Sequence, residues 1–388
     1  MGELNISISI MTHPMRRRLA KEVAEQLSHE TVDIIIDPDP WSGPATLRTS
    51  IKAWASIKPD ATHHIVLQDD VLLVDQFMDH VRDAVSMSPH TPVAFHTDWM
   101  SRNGMVVRLG TWSGARMIDA VPEYTPCLAL VMPRHQIEGF LSFVKDWPDP
   151  LEADDDVMRK YFAAYQIQLK LTLPNLVEHL RYKSLVGNDS QGKRSSSCFV
   201  STLEPQYFLK PSTCLSGLDD LPYFRRAEIT LYSRQKQDSS EYYEQGTAAY
   251  EWSKLGLKEF ASKYDIDLDH LMEQYNSFLD QQDVDQIHLW LKLLSPRALW
   301  GLWISGYILE WSKSLAPLSN IAHQEHVPEQ VRDRIRSTLI IGGLFPEMSH
   351  LELIEHTSNL MPVVNAGIEA AHKSNAMIPY RGGSESHV

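Results

Sequence analysis

Residues 6–70 constrain this chain more than any other stretch, because strand-like and helix-like segments alternate there and end in an acidic pair. Ile6, Ile8 and Ile10 alternate with Ser7 and Ser9, a period of two that specifies a strand. Pro14 then opens a helix, where its missing N–H costs nothing, and Met15, Leu19, Val23 and Leu27 form an i+4 apolar stripe. Val32–Ile36 reads as a strand buried on both faces. A second helix follows Pro44, with Leu47, Ile51 and Trp54 on one side. The third strand, His64–Leu67, runs into Gln68-Asp69-Asp70. This βαβαβ order predicts a largely parallel sheet with right-handed crossovers.

Further strands are expected at Val93–His96, Val106–Leu109, Leu128–Met132 and Leu169–Leu173. A helix starting near Asp154 turns Val157, Tyr161 and Phe162 inward. Asp154, Asp155 and Asp156 at its start complement the helix dipole and supply an N-cap. The character changes after about Ser201, and beyond about Glu241 the pattern is helical. Leu268, Leu271, Met272, Tyr275 and Leu279 mark one amphipathic helix, and Ser295-Pro296 is an N-cap and N1 pair for a Trp-rich one. The expected organisation is an α/β domain over residues 1–215, a helical domain over 216–378 and a disordered tail over 379–388.

Charge narrows the classes of partner. With 36 basic and 50 acidic side chains the formal net charge is −14, which argues against a nucleic-acid or anionic-membrane surface. The 3 cysteines are too scattered for a disulfide framework and suit a reducing cytosol, so a cytoplasmic protein is expected. The start, MGELNISISIMTHP, lacks the charge and apolar run of a signal peptide. The densest apolar run, Ala298–Leu309, is about half of what spans a bilayer, and Arg297 and Glu310 bound it. No transmembrane segment is expected. The Trp-rich helical half is a candidate surface for self-association into a homo-oligomer.

Chemistry points first to Asp69 and Asp70, at the carboxyl end of a strand where open α/β sheets bind ligands. Two carboxylates there suit a hard cation, Mn²⁺ or Mg²⁺, shared with phosphate oxygens; the plainer alternative is a strand end in a solvated loop. His179, just past a late strand, is a second candidate metal ligand among 17 histidines, most of which must be surface or core residues. Arg16, Arg17 and Arg18 sit at a helix start, where cations oppose the dipole; they either hold a diphosphate or form a solvated face. Trp99, Trp112 and Tyr124 offer aromatic faces to sugar rings or to the core. Gly187–Lys193 satisfies most of a Walker A pattern, but Arg194 stands where Ser or Thr would hold Mg²⁺. It reads as a mobile loop closing over a donor, with Lys193 and Arg194 reaching phosphate oxygens, and a P-loop NTPase is the alternative. His323 and His326 have no neighbouring ligand to complete a zinc site.

The segments ISISIMTHP, GPATLRTSIKAW, HHIVLQDDVLL, ADDDVMRKYF and PNLVEHLRYKSLVG, in this order over about residues 4–195, resemble the GT-A class of glycosyltransferases. The last is similar to a segment of N-acetylglucosaminyltransferases and of procollagen and lipopolysaccharide galactosyltransferases. The resemblance implies a Rossmann-like, mixed but mostly parallel sheet flanked by helices. It implies transfer of a sugar from a nucleotide-diphosphate-sugar donor, a UDP-sugar foremost, to a hydroxyl acceptor on a glycan, glycolipid, protein or small molecule. Asp70 would bind the metal, Asp69 the donor ribose or the metal, and His179 would be the late metal-binding histidine. Gln68 departs from the acid-first form of the motif, and Glu178 replaces the usual Gln before the histidine. Thr12, Asp37 and Arg48 match positions lining the nucleotide pocket. Asp154–Asp156 match the region of the catalytic base in inverting members, with Asp156 favoured and Asp155 second. A non-catalytic nucleotide- or sugar-binding scaffold would keep the same fold.

Overall fold

The computed structural model describes residues 4–375 except 44, 150, 186, 188–191, 237–249 and 322–325. Pro44, His323 and the tail 379–388 therefore lie outside the described residues.

The Ile/Ser alternation forms β1 (Ile6–Thr12), a short 3₁₀ turn over Pro14–Arg16 leads into α1 (Arg17–Gln26), and β2 (Val32–Ile36), α2 (Leu47–Ala55) and β3 (His63–Gln68) follow. Next come β4 (Val71–Leu73), α3 (Phe77–Met87), β5 (Val93–Ala94), α4 (Arg102–Trp112), β6 (Met117–Asp119) and β7 (Ala129–Pro133). After α5 (Arg134–Phe143) and α6 (Asp154–Ala164) run β8 (Lys170–Thr172), β9 (Val177–His179) and β10 (Cys214–Leu215). Eight strands form one sheet of order β10-β6-β8-β5-β7-β3-β1-β2. β1 pairs in parallel with both β2 and β3, and β5 with β8, while β7 runs antiparallel between β3 and β5. The result is the expected mixed, mostly parallel sheet flanked by helices.

Four local expectations need correction. Val106–Leu109 is not a strand but the middle of α4. Ser101 caps that helix by accepting the Gly104 N–H at 2.7 Å, and every residue from Asn103 to Trp112 is buried, so no polar face exposes a helical period. β2 is an edge strand, half-buried throughout, and its Asp33 faces Lys58. Met15 leaves the α1 stripe and is 70% exposed, while Leu19, Val23 and Leu27 are buried as expected. The three acids of α6 do not cap it: the N-cap is Ala153, and the Thr46 hydroxyl accepts the Asp154 N–H at 3.0 Å.

Beyond residue 216 the chain does not go straight into helices. β11 (Asp220–Arg225), β12 (Glu228–Lys236) and β13 (Tyr250–Gly256) first make a three-stranded antiparallel sheet. The helices are α7 (Leu257–Lys263), α8 (Leu268–Asp280), α9 (Val284–Leu293), α10 (Pro296–Trp311), α11 (Glu329–Leu344) and α12 (His350–Asn375). Ser295 caps α10 as expected, accepting the Ala298 N–H at 3.2 Å. α10 is buried along nearly its whole length, with Trp303 at 1% exposure and Trp311 at 8%, and only Trp300 of its tryptophans is partly exposed. α10 and α12 approach backbone to backbone: a Cβ on Gly306 would stand 2.1 Å from the Val364 carbonyl oxygen. Among the described residues no helix is long and apolar enough to cross a membrane.

The helical part is continuous with the core around the first sheet. α4 buries Arg108 entirely, and its guanidinium donates to the Thr338 carbonyl on α11 at 2.8 Å, to the Thr338 hydroxyl at 3.1 Å and to the Trp99 carbonyl. A buried cation is tolerable only when its donors are met in this way.

Candidate functional site

The carboxyl ends of β1, β2 and β3 open into a cleft of about 890 Å³. Thr12, Asp37, Arg48, Asp69, Asp70, His179, Lys193 and Arg194, separated by up to 182 positions, all line it. The parallel register explains the first of these: Met11 lies opposite Gln68 and Thr12 opposite Ile36, so Thr12, Asp37 and Asp69 emerge side by side. His179 arrives by a different route. β9 pairs antiparallel with β4, placing His179 opposite Val71, the residue after Asp70.

Asp69 Oδ2 accepts the Thr12 hydroxyl at 2.5 Å. Arg16 Nη1 donates to Asp70 Oδ2 at 2.7 Å and lies 3.4 Å from Asp69 Oδ1, while its other terminal nitrogen donates to the Lys183 carbonyl. Burial, followed by the neighbouring Asp70 charge, drives Asp69 up to about 6 against the pull of Thr12 and Arg16. Burial alone would raise Asp70 too, but His179 and Arg16 outweigh it and hold Asp70 below the usual carboxylate range. Farther along, Arg48 grips Asp37 with two parallel bonds of 2.7 and 2.9 Å. That fork overcomes burial and lowers Asp37.

Two details bear on whether a divalent ion fits. Asp70 Oδ1 is buried with no hydrogen-bond partner among the described residues. His179 Nδ1 lies 3.2 Å from the Arg194 carbonyl, which can only accept, so Nδ1 carries the proton. In the neutral ring, Nε2 then turns its lone pair toward Asp70 Oδ2, 3.4 Å away. A lone pair facing a carboxylate calls for a proton or a metal between them, and a carbonyl on the far nitrogen is the usual support of a metal-binding histidine. Among the described residues no three His, Cys, Asp or Glu side chains already form a cage. The residues present thus fit an ion held by one or two protein groups and completed by phosphate oxygens.

A second cleft of about 470 Å³ adjoins the first, sharing Thr46, Gln68, His179 and Arg194 as walls. Asp155 lines it, and burial followed by repulsion from Asp154 and Asp156 raises Asp155 to about 6. Asp156 lines neither cleft: it is half exposed and faces Arg159 at 3.4 Å. Asp154 is buried at the helix start. Sequence reasoning missed His96 and Asp98, which also line this cleft. Burial lowers His96 to about 3 and raises Asp98 to about 6. Only their position at the end of the short β5 could have flagged them. Of the aromatic candidates, Trp99 and Trp112 are core residues, while Tyr124 lines the second cleft.

Arg16 is the one of the three N-terminal arginines that enters the main cleft; Arg18 stands 80% exposed beside Glu22. The helical part also reaches this cleft. His350, at the head of α12, stacks on Phe345 with ring centroids 4.0 Å apart and accepts the Lys193 N–H at 2.9 Å. Trp99 Nε1 donates to the Lys193 carbonyl at 2.7 Å, so both backbone polar groups of Lys193 are held. Residues 188–191 of the Walker-like segment lie outside the described residues; after Lys193 the chain makes isolated bridges at Ser196 and Phe199 and no helix. The helix N-terminus that a P-loop uses to cradle phosphates is not there. His326 is exposed.

No protein-family model matches this chain, and no curated protein does. Among solved structures, an inositol-1-phosphate CTP transferase from T. maritima is similar with a TM-score of 0.28 and 10% identity, over 44% of this chain and 86% of that one. A likeness that weak assigns neither a family nor an activity.

Proposed function

We propose that this chain is a metal-dependent, inverting glycosyltransferase that uses a nucleotide-diphosphate-sugar donor, a UDP-sugar foremost. The observation that carries the reading is the meeting of Asp69, Asp70 and His179 in one cleft, with Asp70 Oδ1 unpartnered among the described residues and His179 Nε2 aimed at the same carboxylate. Asp70 and His179 would hold Mn²⁺ or Mg²⁺, with Asp69 on the ion or the ribose. The ion would supply Lewis-acid stabilisation of the leaving diphosphate.

The protein's own groups do the rest. Thr12, Asp37 and Arg48 bound the nucleoside end of the cleft. Lys193 and Arg194 add positive charge where the diphosphate departs, and a fixed cation counts for most where charge develops. Asp155 takes the proton of the acceptor hydroxyl as its oxygen attacks the anomeric carbon and the bond from that carbon to the phosphate oxygen breaks. We prefer Asp155 to Asp156 because Asp155 lines the cleft that opens on Arg194 and His179, and Asp156 does not. The acceptor is a hydroxyl-bearing molecule. Hydrolysis of a UDP-sugar that needs Mn²⁺ and disappears in Asp70→Ala tests the reading; turnover unaffected by that substitution overturns it.

A metal-free form of the same chemistry rests on Arg16, whose guanidinium already faces both carboxylates. In that form Arg16 supplies the positive charge, and donor binding is indifferent to chelators.

A further inference from the structure

Another large cleft, of about 870 Å³, lies behind the wall of the Asp155 cleft. Tyr124 lines both cavities, and the adjacent Thr125 N–H donates to the Asp155 carbonyl at 3.4 Å.

The lining is unusual for a chain of net charge −14, because Arg102, Arg159 and Arg234 all face this space. The acids on the same walls are already engaged. Asp119 is bound by Lys170 Nζ at 2.5 Å, and Glu123 accepts the backbone N–H groups of Arg102 and Asn103 at 3.0 and 2.6 Å. Arg102 and Arg159 turn Nε toward Glu123 and Asp156, at 3.5 and 3.4 Å. Among the described residues, their terminal nitrogens have no hydrogen-bond partner. Phe162 and Trp252 supply apolar surface, and Trp252 Nε1 is a buried donor with no partner among the described residues.

We propose that this cleft is the acceptor subsite for a sugar bearing an oxyanion, a uronate carboxylate or a sugar phosphate. A guanidinium matches the planar, multi-oxygen geometry of either group, and a compact ammonium would not; that of Arg102 lies over the Tyr232 ring, 5.3 Å from its centroid. A half-buried indole beside the arginines suits a sugar ring, whose C–H faces are apolar and whose hydroxyls accept N–H donors. The assignment rests on the transferase reading, since Tyr124 lines both this cleft and the one that holds Asp155.

Saturation-transfer NMR and titration on the full chain, with methyl β-glucuronide, methyl β-glucoside 6-phosphate and methyl β-glucoside as probes, test it. Binding of one or both anionic sugars, at least about 10-fold tighter than the neutral one and weakened by salt, is expected. Arg159→Gln should cost a further ~10-fold for the anionic sugar only, Arg159→Lys less, and Trp252→Phe should weaken both kinds of sugar. All three variants should keep the parent melting temperature and Mn²⁺-dependent donor hydrolysis. Equal binding of charged and neutral sugars, or anion binding that survives Arg102→Gln combined with Arg159→Gln, overturns the proposal. No sugar binding alongside intact, Asp70-dependent donor hydrolysis sinks the subsite alone. Arginine-dependent sugar binding without any donor turnover sinks the transferase reading instead.

Discussion

His179 and Asp70 face each other at 3.4 Å while the far nitrogen of the imidazole is committed to the Arg194 carbonyl. That pairing links strand β9, the end of β3 and the loop carrying Lys193 and Arg194 in one small volume. Removing His179 should therefore do more than remove a ligand. His179→Ala is expected to weaken Mn²⁺ binding by at least about 10–100-fold, the range seen when a group that only supports a ligand is lost. His179→Gln should recover part of it. Titration of Mn²⁺ by electron paramagnetic resonance reads this directly, and unchanged affinity would remove His179 from the site.

Arg16 separates the two forms of the proposed chemistry. Its side chain is 16% exposed and faces two buried carboxylates, so breaking the pair in Arg16→Gln should destabilise the metal-free protein by about 3–5 kcal/mol. Thermal unfolding with and without Mn²⁺ is the measurement. If an ion can replace the guanidinium between the carboxylates, added Mn²⁺ restores much of the lost melting temperature. If Arg16 is itself the working cation, Mn²⁺ restores nothing and donor affinity falls.

A carboxylate base works only when ionised, so the raised value of Asp155, about 6, sets the acid limb of the rate profile. Transfer should rise with pH through about 6 and level off above it. Asp155→Asn is expected to lose about 10²–10⁴-fold in kcat. Asp156→Asn, at an exposed position outside both clefts, should stay within a few-fold of the parent. Loss of activity in Asp156→Asn with Asp155→Asn intact would reverse the assignment.

The same acids weaken the fold. Asp69, Asp98 and Asp155 are raised from 3.8 to about 6, so the folded state keeps protons that the unfolded chain releases. The contribution of these three acids to stability should therefore fall as pH rises from about 4 to about 6, against the opposite contribution of the buried His64, His96 and His350, which are lowered to about 4, 3 and 4. Asp37 has the opposite sign: Arg48 lowers it, so its contribution is present above the ordinary carboxylate value and lost as pH falls through the folded one. Asp155→Asn should melt higher than the parent near neutral pH and no higher at about pH 4, because by then the native acid is protonated too. Differential scanning calorimetry across this range checks the sign.

The α10–α12 contact gives a prediction independent of any function. A Cβ on Gly367 would lie 2.0 Å from the Trp303 carbonyl oxygen, as one on Gly306 would lie 2.1 Å from that of Val364. Backbone cannot yield as a flexible side chain does. Gly306→Ala and Gly367→Ala should each cost about 1–3 kcal/mol or more in denaturant unfolding. Gly187→Ala meets no neighbour among the described residues, but its φ of +81° strains an L side chain, so its smaller cost is conformational.

Period and punctuation in the sequence determined α1, α2 and the inward face of α6, because one-sided burial writes itself as an i+4 stripe, and determined β1 and β3, buried on both faces, through an Ile/Ser alternation and a short apolar run. They also determined that Asp69 and Asp70 close a central strand. Tertiary structure alone decided that α4 is a helix, since an element buried on all sides carries no polar face to betray its period. It placed His96 and Asp98 beside Asp155, and chose Asp155 over Asp156 for the cleft, a choice that turns on the rotation of one helix. It brought Arg16 onto the carboxylates and His350 onto the Lys193 loop. Contacts made across many intervening residues leave no local trace, because the partners are matched in space by packing and not by spacing along the chain.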